Sequence, residues 1–371
     1  MNLKETLYRA YAGKKVVLTG HTGFKGAWLA HWLAELGAQV WGYALDPPTE
    51  PNLYEASGTA ARLEEDVRAD LADADALMDL FRRVRPDFAF HLAAQPLVRL
   101  SYETPVATFE TNVMGTVRVM EALRTLGTPC RAVMITTDKC YENREWLHAY
   151  REEDAMGGYD PYSASKGCAE LAIAAYRRSF FERGPVRLAS ARAGNVIGGG
   201  DWAADRIVPD CIRAVREGVP VPVRNKTATR PWQHVLEPLS GYLILGAALD
   251  HPEWWGREEA SAFCSGFNFG PALTSNRTVA ELVDELLRCL GRGTWIDRSE
   301  PNALHEASKL NLATDKAFHL LGWSPAWDFG EALKRTAEWY VADATGADMR
   351  ALTLEQIRLF QQNHRFFLPT A

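Results

Sequence analysis

Residues 15–26 read Lys-Val-Val-Leu-Thr-Gly-His-Thr-Gly-Phe-Lys-Gly, an apolar run followed by regularly spaced glycines, and the apolar segment 27–33 comes next. A strand that turns into a helix at such glycines brings the backbone close to a phosphate, and the helix N-terminus offers it unpaired N–H groups. The stretch therefore predicts a dinucleotide-binding loop. Its expected cofactor contacts are Gly20, His21, Thr22, Gly23, Phe24, Lys25 and Gly26.

Strand-like apolar runs alternate with helical periods on both sides of this loop. The predicted strands are residues 15–19, 39–43, 88–93, 132–136 and 186–191. The predicted helices are residues 75–84, 105–126 and 162–183, followed later by 279–290, 330–342 and 352–362. This βαβ alternation predicts an α/β fold with a Rossmann-type, doubly wound parallel sheet.

The pattern changes after Gly194, where Gly- and Pro-rich segments predict a smaller mixed lobe of irregular and short elements. We place the boundary near Asn195. Residues 1–195 are then the NAD-binding Rossmann domain, with segments around 230–270 as candidates to rejoin it. Residues 196–371 form mainly a C-terminal substrate lobe and the last helices.

The composition argues against several classes of function. The 371 residues are 47% hydrophobic and 24% charged, as in an ordinary globular protein. A net charge of −6 gives no general field for attracting nucleic acid or an anionic membrane. We therefore expect neither partner, and a phosphate-bearing ligand has to be held by a few local cations.

The six cysteines are scattered and form no C-x-x-C pair, which argues against a zinc ribbon and a disulfide scaffold. The chain starts with the polar segment 2–6, and no apolar run approaches the ~20 residues of a membrane span. These features predict a cytoplasmic protein with reduced thiols and no metal site.

The residues after the second predicted strand bear on the choice between NAD and NADP. The usual acidic residue falls at Ala44, whereas the first carboxylate is Asp46. Either Asp46 reaches the ribose 2′-hydroxyl and favours NAD, or it is a turn residue before two prolines. Asp70 and Leu71 either hold the adenine edge or begin a helix. For the nicotinamide half we expect contacts with Leu92, Ala93, Ala94 and Gln95.

Tyr162 and Lys166 are spaced so that they share one helical face, where the ammonium can lower the pKa of the phenol. Thr137, Asp138 and Lys139 end the preceding strand, and active sites of open α/β sheets lie at strand carboxyl ends. Thr137 is suited to bind a sugar hydroxyl. Asp138 and Lys139 form an acid and base pair that plain alcohol oxidation does not need. This surplus pair indicates elimination; the alternative is a surface ion pair.

On these motifs the sequence resembles the extended short-chain dehydrogenase/reductase family, in its nucleotide-sugar branch, and is most similar to CDP-glucose 4,6-dehydratases. The glycine loop, Tyr162-x-x-x-Lys166 and Thr137-Asp138 are family-wide. Lys139 is more discriminating, because the dTDP-glucose enzymes carry glutamate there. Two further discriminating stretches are residues 192–202, Arg-Ala-Gly-Asn-Val-Ile-Gly-Gly-Gly-Asp-Trp, and residues 228–235, Ala-Thr-Arg-Pro-Trp-Gln-His-Val.

The resemblance implies a lyase that keeps its NAD and makes CDP-4-keto-6-deoxy-D-glucose from CDP-D-glucose, for deoxysugars of lipopolysaccharide O-antigens. Tyr162 and Lys166 would serve C4 oxidation. Lys139 would remove the C5 proton, directly or through a water, and Asp138 would protonate the departing C6 hydroxyl. The implied nucleotide-sugar contacts are Asn195, Arg206, Arg230, Gln233, His234 and His305. Arg230 is alternatively a structural stack with Trp232.

Other readings stay open on the sequence alone. A 4-epimerase, a dehydratase of a dTDP-, GDP- or UDP-sugar, and a non-catalytic dinucleotide sensor would share much of this pattern. NADP is the alternative cofactor. The family resemblance also implies a homodimer, or a tetramer of paired dimers, through helices 105–126 and 162–183. The apolar positions expected to serve it are Val113, Val117, Met120, Leu123, Cys168, Leu171, Ala172, Ala175 and Tyr176.

Overall fold

The computed structural model describes residues 2–299 and 309–368. The strands are β1 (Lys15–Thr19), β2 (Gln39–Ala44), β3 (Glu65–Arg68), β4 (Phe88–His91), β5 (Cys130–Ile135), β6 (Val186–Arg192), β7 (Val196–Ile197), β8 (Val221–Val223), β9 (Thr229–Pro231), β10 (Gln233–His234), β11 (Gly266–Asn268), β12 (Asn276–Thr278) and β13 (Trp295–Asp297). The α-helices are α1 (Leu3–Tyr11), α2 (Phe24–Glu35), α3 (Leu53–Ala56), α4 (Ala74–Val84), α5 (Val98–Glu103), α6 (Pro105–Phe109), α7 (Gly115–Leu126), α8 (Pro161–Tyr176), α9 (Ile207–Glu217), α10 (Leu236–Asp250), α11 (Val279–Leu290), α12 (Phe329–Ala344) and α13 (Met349–Asn363).

Within the described residues, seven parallel strands form one sheet in the order β11, β6, β5, β4, β1, β2, β3. The chain winds from β1 outward through β2 to β3 and then returns to β4 on the other side of β1. The predicted doubly wound parallel sheet is confirmed. A ligand crevice is expected where the winding reverses, outside the carboxyl ends of β1 and β4.

Each face of the sheet carries its own hydrophobic core. On one face lie α1, α2 and α10, and on the other α4, α7 and α8. Helices α2 and α10 are apolar around most of their circumference because each is covered on both sides. The sheet and α13 cover α2, whereas the sheet and α1 cover α10. This double cover holds α2, and the glycine loop before it, in a fixed place.

Three regions differ from the predictions made from the sequence. Strand β3, at the sheet edge, was not predicted because three of its four residues are polar and it contains no apolar run. Between Gly194 and the predicted helix 279–290, the expectation of irregular and short elements is wrong for α9 and α10. Helix α10 was missed because its mostly apolar sequence has no amphipathic period. The predicted helix 105–126 contains a π-helical turn at Glu110–Met114.

The chain re-enters the sheet after residue 230. Helix α10 packs on β5 and β6, and β11 pairs with β6 at the sheet edge. The smaller lobe contains α9 and α11 with the strand pairs β9/β12 and β8/β13. The division near residue 195 stays a prediction, with α10 and β11 assigned to the sheet domain. Among the described residues, no helix is both long and apolar enough to cross a membrane.

Candidate active site

The glycine loop between β1 and α2 is built so tightly that side chains would not fit. Gly20 has a φ of +76°, and a Cβ there would lie 2.6 Å from the Ala93 nitrogen beyond β4. A Cβ on Gly26 would lie 2.0 Å from the Gly20 carbonyl oxygen. Helix α2 begins after Gly23, which makes no side-chain capping bond, so its first N–H groups remain available. This geometry fits a dinucleotide pyrophosphate.

A cleft of about 1370 Å³ opens from this loop across the carboxyl ends of the strands to the smaller lobe. The predicted cofactor residues that line it are Gly20, Thr22, Gly23, Phe24, Lys25, Gly26, Asp46, Asp70, Leu71, Leu92, Ala93 and Ala94. The predicted catalytic and substrate residues that line it are Thr137, Lys139, Tyr162, Lys166, Asn195, Arg206 and Arg230. The cleft therefore brings together residues that lie far apart in the sequence.

Other predicted contacts lie away from the cleft. The buried His21 ring turns toward β3, where its Nε2 lies 2.6 Å from Asp66 Oδ1. The Gln95 amide instead donates to the Leu97 carbonyl and the Thr108 hydroxyl. His21 and Gln95 are thus corrected from cofactor contacts to supports of the cleft wall.

Gln233 and His234 are corrected in the same way. The Gln233 amide is buried and donates to the carbonyl oxygens of Gly194 and Phe269. His234 is fully buried next to the rings of Trp28 and Trp327, and burial lowers its pKa to about 3. A neutral imidazole in an apolar core is unsuited to bind a diphosphate. His305 lies outside the described residues.

The end of β5 carries the expected acid and base pair. Asp138 is fully buried, and its Oδ1 accepts a hydrogen bond of 3.0 Å from the Thr137 hydroxyl and lies 3.8 Å from Lys139 Nζ. Its Oδ2 has no hydrogen-bond partner among the described residues. A buried carboxyl oxygen without a hydrogen-bond partner is costly, so Oδ2 is suited to form a hydrogen bond with a ligand. Gly194 keeps this place open, since a Cβ there would lie 1.8 Å from Oδ2.

Tyr162 and Lys166 lie in the first turns of α8, after the N-cap residue Asp160. Burial raises the pKa of Tyr162 to about 12, although a hydrogen bond from Thr137 opposes the rise. Burial also lowers the pKa of Lys166 to about 8, against the opposing charge of Glu170. The expectation of a lowered Tyr162 pKa is wrong for the protein alone, because burial raises this pKa.

Lys25, on the glycine-loop side of the cleft, is a second lysine with a buried ammonium group. Its Nζ donates a hydrogen bond of 3.3 Å to the hydroxyl of Tyr242, which reaches it from α10. Burial lowers the Lys25 pKa to about 7, helped by the charge of Arg206 and opposed by that of Asp138. Lys25 of the glycine loop therefore interacts electrostatically with Asp138, which the sequence predicts as the acid.

At the adenosine end of the cleft, Asp46 lies at the rim with a side chain that is 91% exposed, 3.4 Å from Arg68 Nη1. Asp70 does not begin α4, since Asp73 is the N-cap there. The Asp70 carboxylate instead accepts from the Ala72 nitrogen while the residue lines the cleft. The helix-start alternative for Asp70 is therefore wrong.

Several supporting residues were missed from the sequence. Glu170 accepts hydrogen bonds from Thr136, Ser190 and Arg192 beneath the catalytic residues. Its position four residues after Lys166, on the same face of α8, was a usable signal. The ion pair between Arg99 and Asp205, 3.6 Å across the mouth of the cleft, had no local signal because the two residues lie on different lobes.

Across residues 2–299 and 309–368, no group of three or more His, Cys, Asp or Glu side chains is arranged to hold a metal ion. All six cysteines carry free thiols.

A family model described as the NAD dependent epimerase/dehydratase family matches residues 16–254 of the chain. The CDP-glucose 4,6-dehydratase of Salmonella typhimurium is 47% identical to it over 353 residues, covering 94% of this chain and 96% of that enzyme. The dTDP-glucose 4,6-dehydratase 1 of Escherichia coli is 25% identical over 356 residues, covering 90% of this chain and 94% of that enzyme.

Solved structures of the same fold superpose over most of the chain. The dTDP-glucose 4,6-dehydratase DesIV of Streptomyces venezuelae, with NAD and TYD bound, matches with a TM-score of 0.74 at 23% identity. The match covers 90% of this chain and 99% of that one. At this identity the likeness concerns the fold.

Proposed function

The chain belongs to the NAD dependent epimerase/dehydratase family, and we propose that it converts CDP-D-glucose to CDP-4-keto-6-deoxy-D-glucose and water. The observation that carries this proposal is the Asp138–Lys139 pair at the end of β5, beside Tyr162. A simple dehydrogenase needs one base, whereas dehydration also needs a base for C5 and an acid for the leaving hydroxyl. The 47% identity to a CDP-glucose enzyme, against 25% to a dTDP-glucose enzyme, supports CDP as the nucleotide.

The residues present fit NAD as the cofactor. The uncapped first turn of α2 would hold the pyrophosphate, Asp70 and Leu71 lie beside the adenosine end, and Ala93 leaves room for the nicotinamide half. When bound, NAD would supply the acceptor for the hydride of C4 and the donor of a hydride to C6.

Proton transfers are assigned to the side chains around the hexose. Tyr162 acts as a phenolate that takes the proton of the 4-hydroxyl, and Lys166 and Thr137 stabilise this phenolate before the transfer. The ketone at C4 makes the C5 proton acidic, and Lys139 removes it directly or through a water. Asp138 gives a proton to the departing C6 hydroxyl, which leaves as water. Lys139 then returns its proton to C5 after C6 has been reduced.

The proton count closes over the cycle. Tyr162 gains one proton from O4, and Asp138 loses one to the leaving hydroxyl. Transfer of one proton from Tyr162 to Asp138 restores both groups for the next turnover. The proton on Lys139 is borrowed from C5 and returned. The net change is loss of one water with no net oxidation, as a hydro-lyase requires.

The substrate diphosphate and sugar are assigned to Asn195, Arg206 and Arg230. The Nδ2 of Asn195 is buried without a hydrogen-bond partner among the described residues, so it is a donor suited to a ligand. Arg206 is held 2.8 Å from Asp201 and lines the cleft close enough to act electrostatically on Tyr162. Arg230 lines the same cleft from β9.

A homodimer with a cytoplasmic location completes the proposal. The outer surface of α6 and the following π-helical turn exposes Val106, Phe109 and Met114 around a shallow apolar groove that also includes Cys168. Leu171 is exposed on the neighbouring α8. An exposed apolar patch of this kind is typical of a protein interface. The free thiols support a reducing compartment.

The direct test is to incubate purified protein with CDP-, dTDP- and UDP-glucose and GDP-mannose and to follow the 4-keto product and the loss of the C6 hydroxyl by mass. We expect that CDP-glucose is the only substrate, or the fastest one, that gives a product lighter by the mass of one water. A product of unchanged mass with an inverted C4 centre would instead identify an epimerase.

A further inference from the structure

An arginine lies beside the end of β2, where the sequence has Ala44 in place of the acidic residue that usually binds the ribose of NAD. In the register of β2 and β3, Arg68 is the direct neighbour of Ala44. In dinucleotide-binding folds a carboxylate near this place binds the ribose 2′-hydroxyl of NAD, whereas an arginine accommodates the 2′-phosphate of NADP. Arg68 beside Ala44 would by position alone favour NADP.

The Arg68 guanidinium is already occupied by Asp66, two residues earlier on β3. Its Nε lies 2.8 Å from Asp66 Oδ1 and its Nη2 2.9 Å from Asp66 Oδ2, a two-bond contact. The guanidinium also lies over the Tyr54 ring, 4.7 Å from its centroid. Such paired contacts are geometrically specific and among the stronger hydrogen bonds.

Asp66 is itself fixed from two further sides. The Tyr54 hydroxyl donates to its Oδ2 over 2.5 Å, and His21 of the glycine loop contacts its Oδ1 at 2.6 Å. Burial alone would raise the Asp66 pKa, but the hydrogen bonds from Arg68, Tyr54 and His21 hold it at about 2. Asp66 is therefore a carboxylate at neutral pH and ties the glycine loop to β3.

The remaining edge of the guanidinium faces the cleft rim. Arg68 Nη1 lies 3.4 Å from Asp46 Oδ1 and 3.5 Å from the Leu45 carbonyl oxygen. Asp46 is otherwise highly exposed, so Arg68 is a contact that holds this carboxylate near the ribose end. A 2′-phosphate would meet Asp46 and a guanidinium whose charge is already neutralised.

We infer that Asp66 makes this cleft selective for NAD over NADP, because it occupies the Arg68 guanidinium that would otherwise bind a 2′-phosphate and, through Arg68, presents Asp46 to the ribose. Asp66 and Arg68 are thus positioning residues, and Asp46 is the group that faces the cofactor. The inference rests on the proposed function only in that a dinucleotide binds at the glycine loop.

The test is the ratio of two dissociation constants, Kd for NADP over Kd for NAD, measured by calorimetry on protein stripped of bound dinucleotide. Asp66→Asn should lower this ratio about tenfold or more, since a released guanidinium can form charged hydrogen bonds to the 2′-phosphate. The double variant Asp66→Asn/Arg68→Ala should recover much of the selectivity. Asp79→Asn is a matched control, because it removes one of the two carboxylate partners of Arg83 on α4 and does not change the lining of the cleft.

Asp66→Asn also changes the contact between Asp66 and His21 of the glycine loop. Asp46→Ala is therefore a second, independent variant that leaves this loop intact. It should lower the ratio in the same direction. A general loss of structure would weaken both dinucleotides alike and leave the ratio unchanged. An unchanged ratio in both variants, or an equal fall in the double variant, would overturn the inference. Wild-type protein that binds neither dinucleotide would instead count against the proposed function.

Discussion

Tyr162 shows at the residue scale why the reaction needs its cofactor in place. Its hydroxyl is buried and has a pKa of about 12 in the protein alone, which is too high for a base at neutral pH. The positive charge of oxidised nicotinamide beside it would favour the phenolate. Base strength therefore depends on the bound cofactor as well as on Lys166 and Thr137.

Tyr162→Phe should lower turnover by about 10² to 10⁴, the range typical of losing a general base, while thermal stability and NAD binding stay near wild type. Tyr8→Phe removes an equally sized hydroxyl from an exposed site on α1 and serves as the control. Steady-state kinetics with CDP-glucose measure the effect. Near-normal turnover of Tyr162→Phe would refute its role.

Asp138→Asn should slow the loss of water more than the oxidation of C4, because only elimination needs the proton donor. Stopped-flow absorbance should then show reduced nicotinamide accumulating within the first turnover. Asp75→Asn, on the exposed first turn of α4, controls for the change of charge. Equal slowing of both half-reactions would argue against Asp138 as the acid.

Helix α10 shows at the element scale how the sheet domain holds the C-terminal helices. Glu237 in its first turn is fully buried, and its carboxyl accepts hydrogen bonds from the backbone N–H groups of Ala326 and Trp327, just before α12. Burial raises the pKa of Glu237 to about 8, although these bonds oppose the rise. The group is therefore protonated in the folded protein at neutral pH.

This raised pKa predicts a pH-dependent stability. Between the ordinary glutamate pKa near 4.5 and about 8, the folded state binds one proton more than the unfolded state. The free energy of unfolding should thus fall with rising pH, by about 1.4 kcal/mol per unit from this group. Glu237→Gln keeps the shape without the charge. Its Tm relative to wild type should rise from pH 5.5 to pH 8.5 in calorimetric scans. A Tm difference that does not change with pH would exclude this role.

At the scale of the whole molecule, the exposed apolar residues indicate which surface pairs with a second copy. Met120 and Leu123 of the expected stripe are buried against the sheet, so they are not available for a partner. Cys168, Leu171 and Ala175 of the expected positions on α8 are exposed. In the segment before α7, Val106 is 82% exposed and Met114 is also exposed. The proposed interface therefore keeps the α8 positions and replaces Met120 and Leu123 with residues of α6 and the π-helical turn.

Val106→Asp should weaken the proposed dimer at least about tenfold, because it would bury an unpaired charge in an apolar contact. Sedimentation velocity across a concentration series measures the dissociation. Leu273→Asp changes an exposed leucine elsewhere and should leave the assembly unchanged. A wild-type protein that is monomeric and fully active at micromolar concentration would contradict the dimer proposal.

Local patterns were sufficient for the parts of the fold with a strong periodic signal. The glycine loop, the sheet strands apart from β3 and β11, and α11 follow from apolar runs, turn residues and helical spacing. The carboxyl end of β5 was also predicted to carry Thr137, Asp138 and Lys139 toward Tyr162, because strand ends in a parallel sheet meet at one edge. These inferences need only neighbouring residues.

Long-range packing decided what the sequence left open. Histidine is a residue type that often contacts ligands, and His21 and His234 were predicted to do so. Both rings are instead buried, His21 against Gly42 and His234 between two tryptophans. No sequence period shows which way such a side chain turns, since that depends on the space left by distant strands and helices. Burial likewise set the pKa of Tyr162 against the expectation from Lys166.

By itself, therefore, the sequence determined the doubly wound sheet, the dinucleotide loop and the residue types of the reaction, because hydrophobic periodicity and turn chemistry act over a few residues. Only the tertiary structure decided which of those residues face the cleft and which charges neutralise one another, as Asp66 does Arg68. Burial and Coulomb interactions depend on distances between residues far apart in the chain, and such distances exist only after folding.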